Sequence, residues 1–233
     1  MENVFVSVII PCYNEEANLL KTLTKTDDYL FGQSYTSEII IVDDGSTDKT
    51  TEIAQKATRT EKIIITLDRN TGKGEAVKRG VEKSRGEFIL FFDADFSTDI
   101  RELGKFLKAS EDGGDILIAS RNLPESVLDP PQPAARRVMG FFCRMLVKAI
   151  VGLKYSDTQC GFKLFKRSSA RDIFPKMKTK GFAFDIELLM LARERGLSVR
   201  EIPVTWRNSS SSRVSPIRDS LKFFIELLKL RYR

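Results

Sequence analysis

Two carboxylates, Asp93 and Asp95, stand two residues apart just after the apolar run Phe88-Ile89-Leu90-Phe91-Phe92. On an extended segment, positions i and i+2 face the same side. Two anions at the end of a buried strand repel unless a cation compensates them. An all-oxygen site favours Mg²⁺ or Mn²⁺, ions that bridge protein carboxylates to substrate phosphates. Polar groups also follow three other apolar runs. Pro11-Cys12-Tyr13-Asn14-Glu15 follows the first and Asp43-Asp44-Gly45-Ser46 the second; Asp68-Arg69-Asn70, with Gly72-Lys73-Gly74 beyond it, follows the third. The Gly-Lys-Gly segment is not a Walker A loop, because Lys73 is followed by Gly74 and Glu75 rather than by Ser or Thr. It can still bring Lys73 and a helix N-terminus to a diphosphate. The chain has no histidine, which excludes a histidine base, a Ser-His triad and a histidine-ligated metal.

These groups need elements to carry them. Phe5 to Pro11, Glu38 to Asp43, Lys62 to Leu67 and Glu87 to Phe92 are short β-branched runs, near-continuously apolar as buried parallel strands are. Asp115 to Ser120 reads as a further strand. Helical stretches lie between them: Glu15 to Leu30, Thr47 to Thr58 with Ser46, Thr47 and Asp48 as N-cap candidates, and Glu75 to Lys83. The alternation predicts an α/β fold, an open, mostly parallel sheet flanked by helices. Such sheets bind ligands beyond the carboxyl ends of their strands, where the polar groups fall. Leu123 to Pro133 is a proline-rich loop and the only internal boundary. Ser209 to Ser212, beside Arg213, is the one run of low complexity.

The 233 residues suit one sizeable domain. Three cysteines, Cys12, Cys143 and Cys160, cannot all pair and lack metal-ligand spacing, which suggests a reducing compartment. The apolar region Val138 to Leu153 is broken by Arg144 and Lys148, so no spanning helix is expected. Charge is uneven: residues 1–120 hold 15 Lys and Arg against 22 Asp and Glu, and residues 121–233 hold 23 against 10. The second half therefore attracts phosphates or an anionic surface. It has no recognisable nucleic-acid motif, and no nucleic-acid partner is expected.

The segments VSVIIPCYNEEANL, IIIVDDGSTDKT, NTGKGEAVKRG and FFDAD resemble the successive signatures of family 2 glycosyltransferases with the GT-A fold. DTQCGFKLF (Asp157 to Phe165) and FAFDIEL (Phe182 to Leu188) resemble dolichyl-phosphate glucosyltransferases, and more loosely the dolichyl-phosphate mannose synthases and other polyprenyl-phosphate glycosyltransferases. The likeness runs from about Val4 to about Arg207. It implies a Rossmann-like GT-A sheet. Residues 1–122 form the half that binds nucleotide sugar and metal, and 123–233 the acceptor-binding, membrane-facing half of the same catalytic domain. Pro11, Tyr13, Glu15, Val42 and Asp44 line the base and ribose; Asp68 and Lys73 are further base or phosphate contacts. Asp93 and Asp95 hold Mg²⁺ or Mn²⁺ on the diphosphate, with Ala94 against the nucleotide. Arg121 meets the donor or acceptor phosphate, Arg136 and Arg137 match an acceptor-phosphate pair, and Asp157 and Gln159 sit near the sugar. The catalytic set is Asp95, Arg121 and Asp157.

The reaction implied is inverting transfer of glucose from UDP-glucose to dolichyl or another polyprenyl phosphate. GDP-mannose as donor, a saccharide hydroxyl as acceptor, and a non-catalytic membrane-binding protein are the alternatives. A hydroxyl acceptor would need a carboxylate base such as Asp157 or Asp185. A phosphate monoester, with a second pKa of about 6, is already an anionic nucleophile. A lipid acceptor also needs a membrane-facing surface. Arg137, Arg144 and Lys148 fall within about 40° of one another on a helical wheel, with Val138, Phe141, Phe142, Met145 and Leu146 around them. Arg218, Lys222, Lys229 and Arg233 repeat the pattern in the last helix. Both read as interface helices in peripheral contact with the cytoplasmic face of a membrane.

Overall fold

The computed structural model describes residues 3–56, 58–131, 134–207 and 216–232. The Ser209 to Ser212 run, Arg213 and Arg233 lie outside the described residues, as do the side chains of Arg136, Arg218 and Lys222.

The chain alternates strand and helix through its first half: β1 (Val6–Cys12), α1 (Leu19–Phe31), β2 (Ser37–Asp43), α2 (Thr50–Ala54), β3 (Glu61–Thr66), α3 (Lys73–Lys83), β4 (Phe88–Phe92), α4 (Leu103–Glu111) and β5 (Ile116–Ser120). A short β6 (Val127–Leu128) and a long α5 (Ala134–Val151) follow. Then come β7 (Phe162–Lys166), α6 (Arg167–Ile173), α7 (Phe184–Glu194), β8 (Val199–Pro203), β9 (Thr205–Trp206) and α8 (Pro216–Arg231). Seven strands form one sheet in the order β3-β2-β1-β4-β7-β5-β8. All are parallel except β7, which runs antiparallel to β4 and β5. β6 and β9 pair as a separate parallel ribbon.

Successive side chains of the central strands enter two cores, one on each face. Ile40, Val42, Ile89 and Phe91 join one, while Ile39, Ile41, Leu90 and Phe92 join the other. That is why these runs are continuously apolar. β3 departs from the expectation of a buried strand: its side chains are half-exposed, because it is the edge of the sheet.

α1 starts at Leu19, four residues later than the sequence suggested, because Glu15 is drawn elsewhere. Its backbone N–H donates to Thr50 Oγ1 at 2.7 Å, and Asn14 before it sits in the left-handed region at φ 54°. α2 is shorter than the predicted Thr47 to Thr58. Lys49 stands at its N-cap, and Asp48 accepts from the Thr50 N–H at 3.0 Å.

Because six strands run the same way, the carboxyl ends of β1, β2, β4 and β5 share one edge of the sheet. The antiparallel β7 starts at that edge, so the loop before it, residues 157–161, reaches the same place. The two halves of the sequence therefore contribute to a single sheet.

Candidate active site

β1 and β2 end in loops that fasten to each other. Asn14 N–H donates to Ser46 Oγ at 2.8 Å, and Asn14 Oδ1 accepts from Thr47 N–H at 2.8 Å. Asp44 is buried, with both oxygens engaged: it accepts from the Thr71 N–H and hydroxyl, each at 2.7 Å, and from Gly72 N–H at 2.8 Å. Its carboxylate thus anchors the loop that starts α3. Gly72 has φ 110°, and a Cβ there would lie 2.3 Å from the Lys180 carbonyl oxygen, so only glycine fits. This anchoring delivers Lys73 to the site, where its ammonium bonds the Asp93 carboxylate.

Asp93 and Asp95 lie on a turn rather than the extended segment expected, with Phe96 N–H directed at Asp93 O at 3.4 Å. The turn still holds the two charges close. Burial first, and then the Asp93 charge, push the Asp95 carboxyl above its ordinary range. Asp95 accepts from Ser97 N–H at 2.9 Å. Among the described residues no group of three carboxylate or cysteine ligands surrounds the pair. A divalent cation here would complete its shell with substrate oxygens, as Mg²⁺ and Mn²⁺ do. The electrostatics fit such an ion, since Asp93 already attracts an ammonium and Asp95 is destabilised by its neighbour.

Asp93 owes its room to Gly161, whose Cβ, if present, would stand 2.1 Å from Asp93 Oδ2. The Gly161 carbonyl also accepts from Asp93 N–H at 3.1 Å. Gly161→Ala should therefore displace the carboxylate and weaken Mn²⁺ binding by about tenfold or more, an effect of the size expected when a ligand is misaligned. Isothermal titration with Mn²⁺ and UDP checks this.

Arg121 follows β5. Its Nε and Nη2 donate to Asp157 Oδ2 and Oδ1 at 2.6 and 3.0 Å, a bidentate pair, and its backbone N–H adds 3.1 Å to Oδ2. Burial alone would raise the Asp157 carboxyl, but the Arg121 charge and hydrogen bonds outweigh it and hold the group below its ordinary range. Gln159 N–H, at 3.2 Å, also donates to Asp157. The Asp157 carboxylate is thus consumed in holding Arg121. Asp93 is near enough to raise the Arg121 pKa further, which puts the carboxylate turn and the arginine in one electrostatic neighbourhood.

Asp185, the other base considered from the sequence, lies on α7, buried against Lys163 Nζ at 2.5 Å. Burial raises its carboxyl, and the Lys163 and Lys73 charges oppose that shift. Lys163, in mid-β7, also donates to the Cys160 carbonyl at 2.7 Å and so pins the 157–161 loop.

Of the other residues singled out, Tyr13 is exposed, while Pro11 and Val42 are buried neighbours in the β1–β2 register. The Val42 side chain packs in the core, so only its backbone can face a ligand. Glu15 accepts from Asn18 Nδ2 at 2.7 Å. Ala94 is buried, and its carbonyl accepts from Thr22 Oγ1 at 2.6 Å. Asp68 is exposed past β3 and has no hydrogen bond among the described residues. Arg137 is exposed on α5, and no bond among the described residues ties it to Arg121. Sequence reasoning missed Lys163 and also Trp206, whose ring centroid lies 5.4 Å from the Arg121 guanidinium carbon. A lysine inside an apolar run and a lone tryptophan after a strand were the only signals.

Residues 7–174 match the model of the family described as glycosyl transferase family 2. The chain belongs to that family. It is a glycosyltransferase with the GT-A fold, which removes the non-catalytic alternative. It is 32% identical to the dolichyl-phosphate beta-glucosyltransferase of Dictyostelium discoideum, over 100% of this chain and 76% of that protein. It is 35% identical to the enzyme of the same name from Saccharomyces cerevisiae, over 99% and 75%. The human enzyme of that name is 34% identical, over 98% and 75%. Among solved structures, the glycosyltransferase superposes with a TM-score of 0.75 on glucosyl-3-phosphoglycerate synthase from Mycobacterium tuberculosis, crystallised with Mn²⁺, UDP-glucose and phosphoglyceric acid. That match covers 98% of this chain and 80% of the other at 19% identity, so it speaks for the fold alone.

Proposed function

We propose that the enzyme transfers glucose from UDP-glucose to the phosphate of dolichyl or another polyprenyl phosphate, with inversion. The observation that carries this reading is the pairing of both candidate bases, Asp157 with Arg121 and Asp185 with Lys163. With both of these carboxylates paired and no histidine in the sequence, neither base considered for a hydroxyl acceptor is free, which favours an acceptor that brings its own nucleophile. A phosphate monoester does so at neutral pH. The relatives named dolichyl-phosphate beta-glucosyltransferase support glucose and the lipid phosphate; UDP-glucose is the donor carried by the Mycobacterium protein that shares the fold.

Arg121, held rigid by Asp157, orients the acceptor phosphate. One of its oxygens bonds to the anomeric carbon as the bond from that carbon to the diphosphate breaks, and UDP leaves. Lys73 adds positive charge beside Asp93, where negative charge builds up on the leaving group. Asp93 and Asp95 would hold Mg²⁺ or Mn²⁺, which supplies Lewis-acid stabilisation of the diphosphate. Tyr13, Glu15 and Asp44 belong to the loops that would receive the nucleoside. Residues 1–122 would serve the donor and 123–233 the acceptor, with Arg121, at the end of the first half, turned to the acceptor and fastened to the second half through Asp157.

The lipid implies a membrane-facing surface, and α5 supplies one. Val138, Phe141, Phe142 and Met145, at spacings of 3, 1 and 3, form a stripe exposed at 56, 53, 61 and 49%. Val147 and Val151 on the opposite side are buried in the core, and Arg137, Arg144 and Lys148 flank the stripe. An exposed aromatic stripe beside cations suits the interface of an anionic bilayer. No helix among the described residues is long and apolar enough to cross a membrane. Phe141→Glu with Phe142→Glu should release the protein from anionic vesicles in a flotation assay while UDP binding persists. Unchanged flotation would remove α5 from the interface.

The reaction is tested with labelled UDP-glucose, Mg²⁺ and polyprenyl phosphate. A glucosylated lipid phosphate is expected. Transfer from GDP-mannose instead, or only to a saccharide hydroxyl, would overturn the assignment.

A further inference from the structure

We propose that Trp206 is a positioning residue for the acceptor phosphate, acting through Arg121. This rests on the reading of Arg121 as the acceptor-phosphate ligand. The Arg121 guanidinium carbon lies 5.4 Å from the centroid of the Trp206 ring. Asp157 holds one edge of the same guanidinium through Nε and Nη2. With an edge bonded and the indole against it, the group has little freedom to turn. Its Nη1 carries no hydrogen bond among the described residues and remains for a ligand.

Trp206 is itself fixed to the carboxylate turn. It forms an antiparallel bridge with Thr98, and the next N–H, of Arg207, donates to Ser97 O at 2.7 Å. Ser97 N–H in turn donates to Asp95. On its other side, β9 pairs with β6, and Asp129 N–H donates to Trp206 O at 3.0 Å. The backbone of Trp206 therefore joins the segment after Asp95, and its ring holds Arg121. One residue sets the spacing between the donor end of the cleft and the arginine. An indole suits the place, because guanidinium is weakly hydrated and stacks on aromatic faces. A residue that merely filled the core would not need to present its ring to a cation.

Trp206 is the single tryptophan of the sequence, so the emission reports on the surroundings of this one ring. The test uses the full chain with Mg²⁺ and UDP, and farnesyl phosphate as a short, water-soluble acceptor. Saturating farnesyl phosphate should change the tryptophan emission. Trp206→Leu should raise the acceptor KM by about tenfold, the ratio a partly desolvated cation–π contact carries, while the UDP-glucose KM stays within about twofold. Trp206→Phe, which keeps an aromatic face, should recover to within about threefold of the parent.

A folded Trp206→Leu protein with an unchanged acceptor KM, or with both KM values raised equally, would overturn the proposal. Should that variant not fold, the unmodified protein decides: unaltered emission at saturating farnesyl phosphate overturns it. Arg121→Gln separates the two levels. If this variant loses farnesyl phosphate binding while Trp206→Leu retains it, only the role of Trp206 falls. If Arg121→Gln binds as well as the parent, the reading of Arg121 falls and the proposal with it.

Discussion

Asp95→Asn lowers glycosyl transfer by roughly 10³-fold, the scale of several kcal/mol of lost charge stabilisation. The substitution keeps the shape of the side chain and removes one charge from a crowded pair. Burial and Asp93 already hold the Asp95 carboxyl above its ordinary range, so at neutral pH its charge opposes folding rather than supporting it. The neutral variant should therefore melt no lower than the parent when divalent ions are absent. What it should lose is the rise in melting temperature on adding Mn²⁺ with UDP. A thermal scan with and without the ion separates this outcome from misfolding. An active Asp95→Asn enzyme would place the chemistry elsewhere.

Arg121→Gln is the second large effect, with transfer to polyprenyl phosphate down by roughly 10²- to 10³-fold, as for other losses of a transition-state charge partner. It also strands the Asp157 carboxylate, which is buried and loses its counter-charge. Breaking a buried pair from one side costs about 3–5 kcal/mol, unless the carboxyl takes up a proton. Arg121→Gln combined with Asp157→Asn should recover stability in urea unfolding without recovering activity. Asp157→Asn alone should cost about tenfold, because the amide still accepts one hydrogen bond from the guanidinium. Its pH profile should keep the parent's shape. If Asp157 were a general base instead, this single change would abolish transfer and erase the acid limb of the profile.

The contrast between these two carboxylates shows what the sequence could reveal. The place of Asp95 in the fold was legible because it follows a continuously apolar run, and burial of that strand dictates where its end must be. The role of Asp157 was not. Nothing local says that a carboxylate will meet an arginine 36 residues earlier, and the pairing depends on β7 running antiparallel between β4 and β5. β7 was itself hidden, since Lys163 interrupts the apolar pattern that marks β1, β2, β4 and β5. The lysine is tolerated there because Asp185, from α7, neutralises it. The edge position of β3 was hidden for a related reason: composition tells a strand from a helix, but its neighbours are set by the tertiary fold. On α5 the sequence showed cations beside apolar residues, and the structure shows which apolar face is buried and which is bare.

Phosphorus NMR of farnesyl phosphate, with Mn²⁺ and UDP bound, measures whether donor and acceptor occupy one cleft. The paramagnetic ion broadens only nuclei held close to it. Strong broadening of the farnesyl phosphate signal is expected, abolished by Arg121→Gln. A signal as sharp with Mn²⁺ as with Mg²⁺, under conditions where farnesyl phosphate is demonstrably bound, would contradict the account.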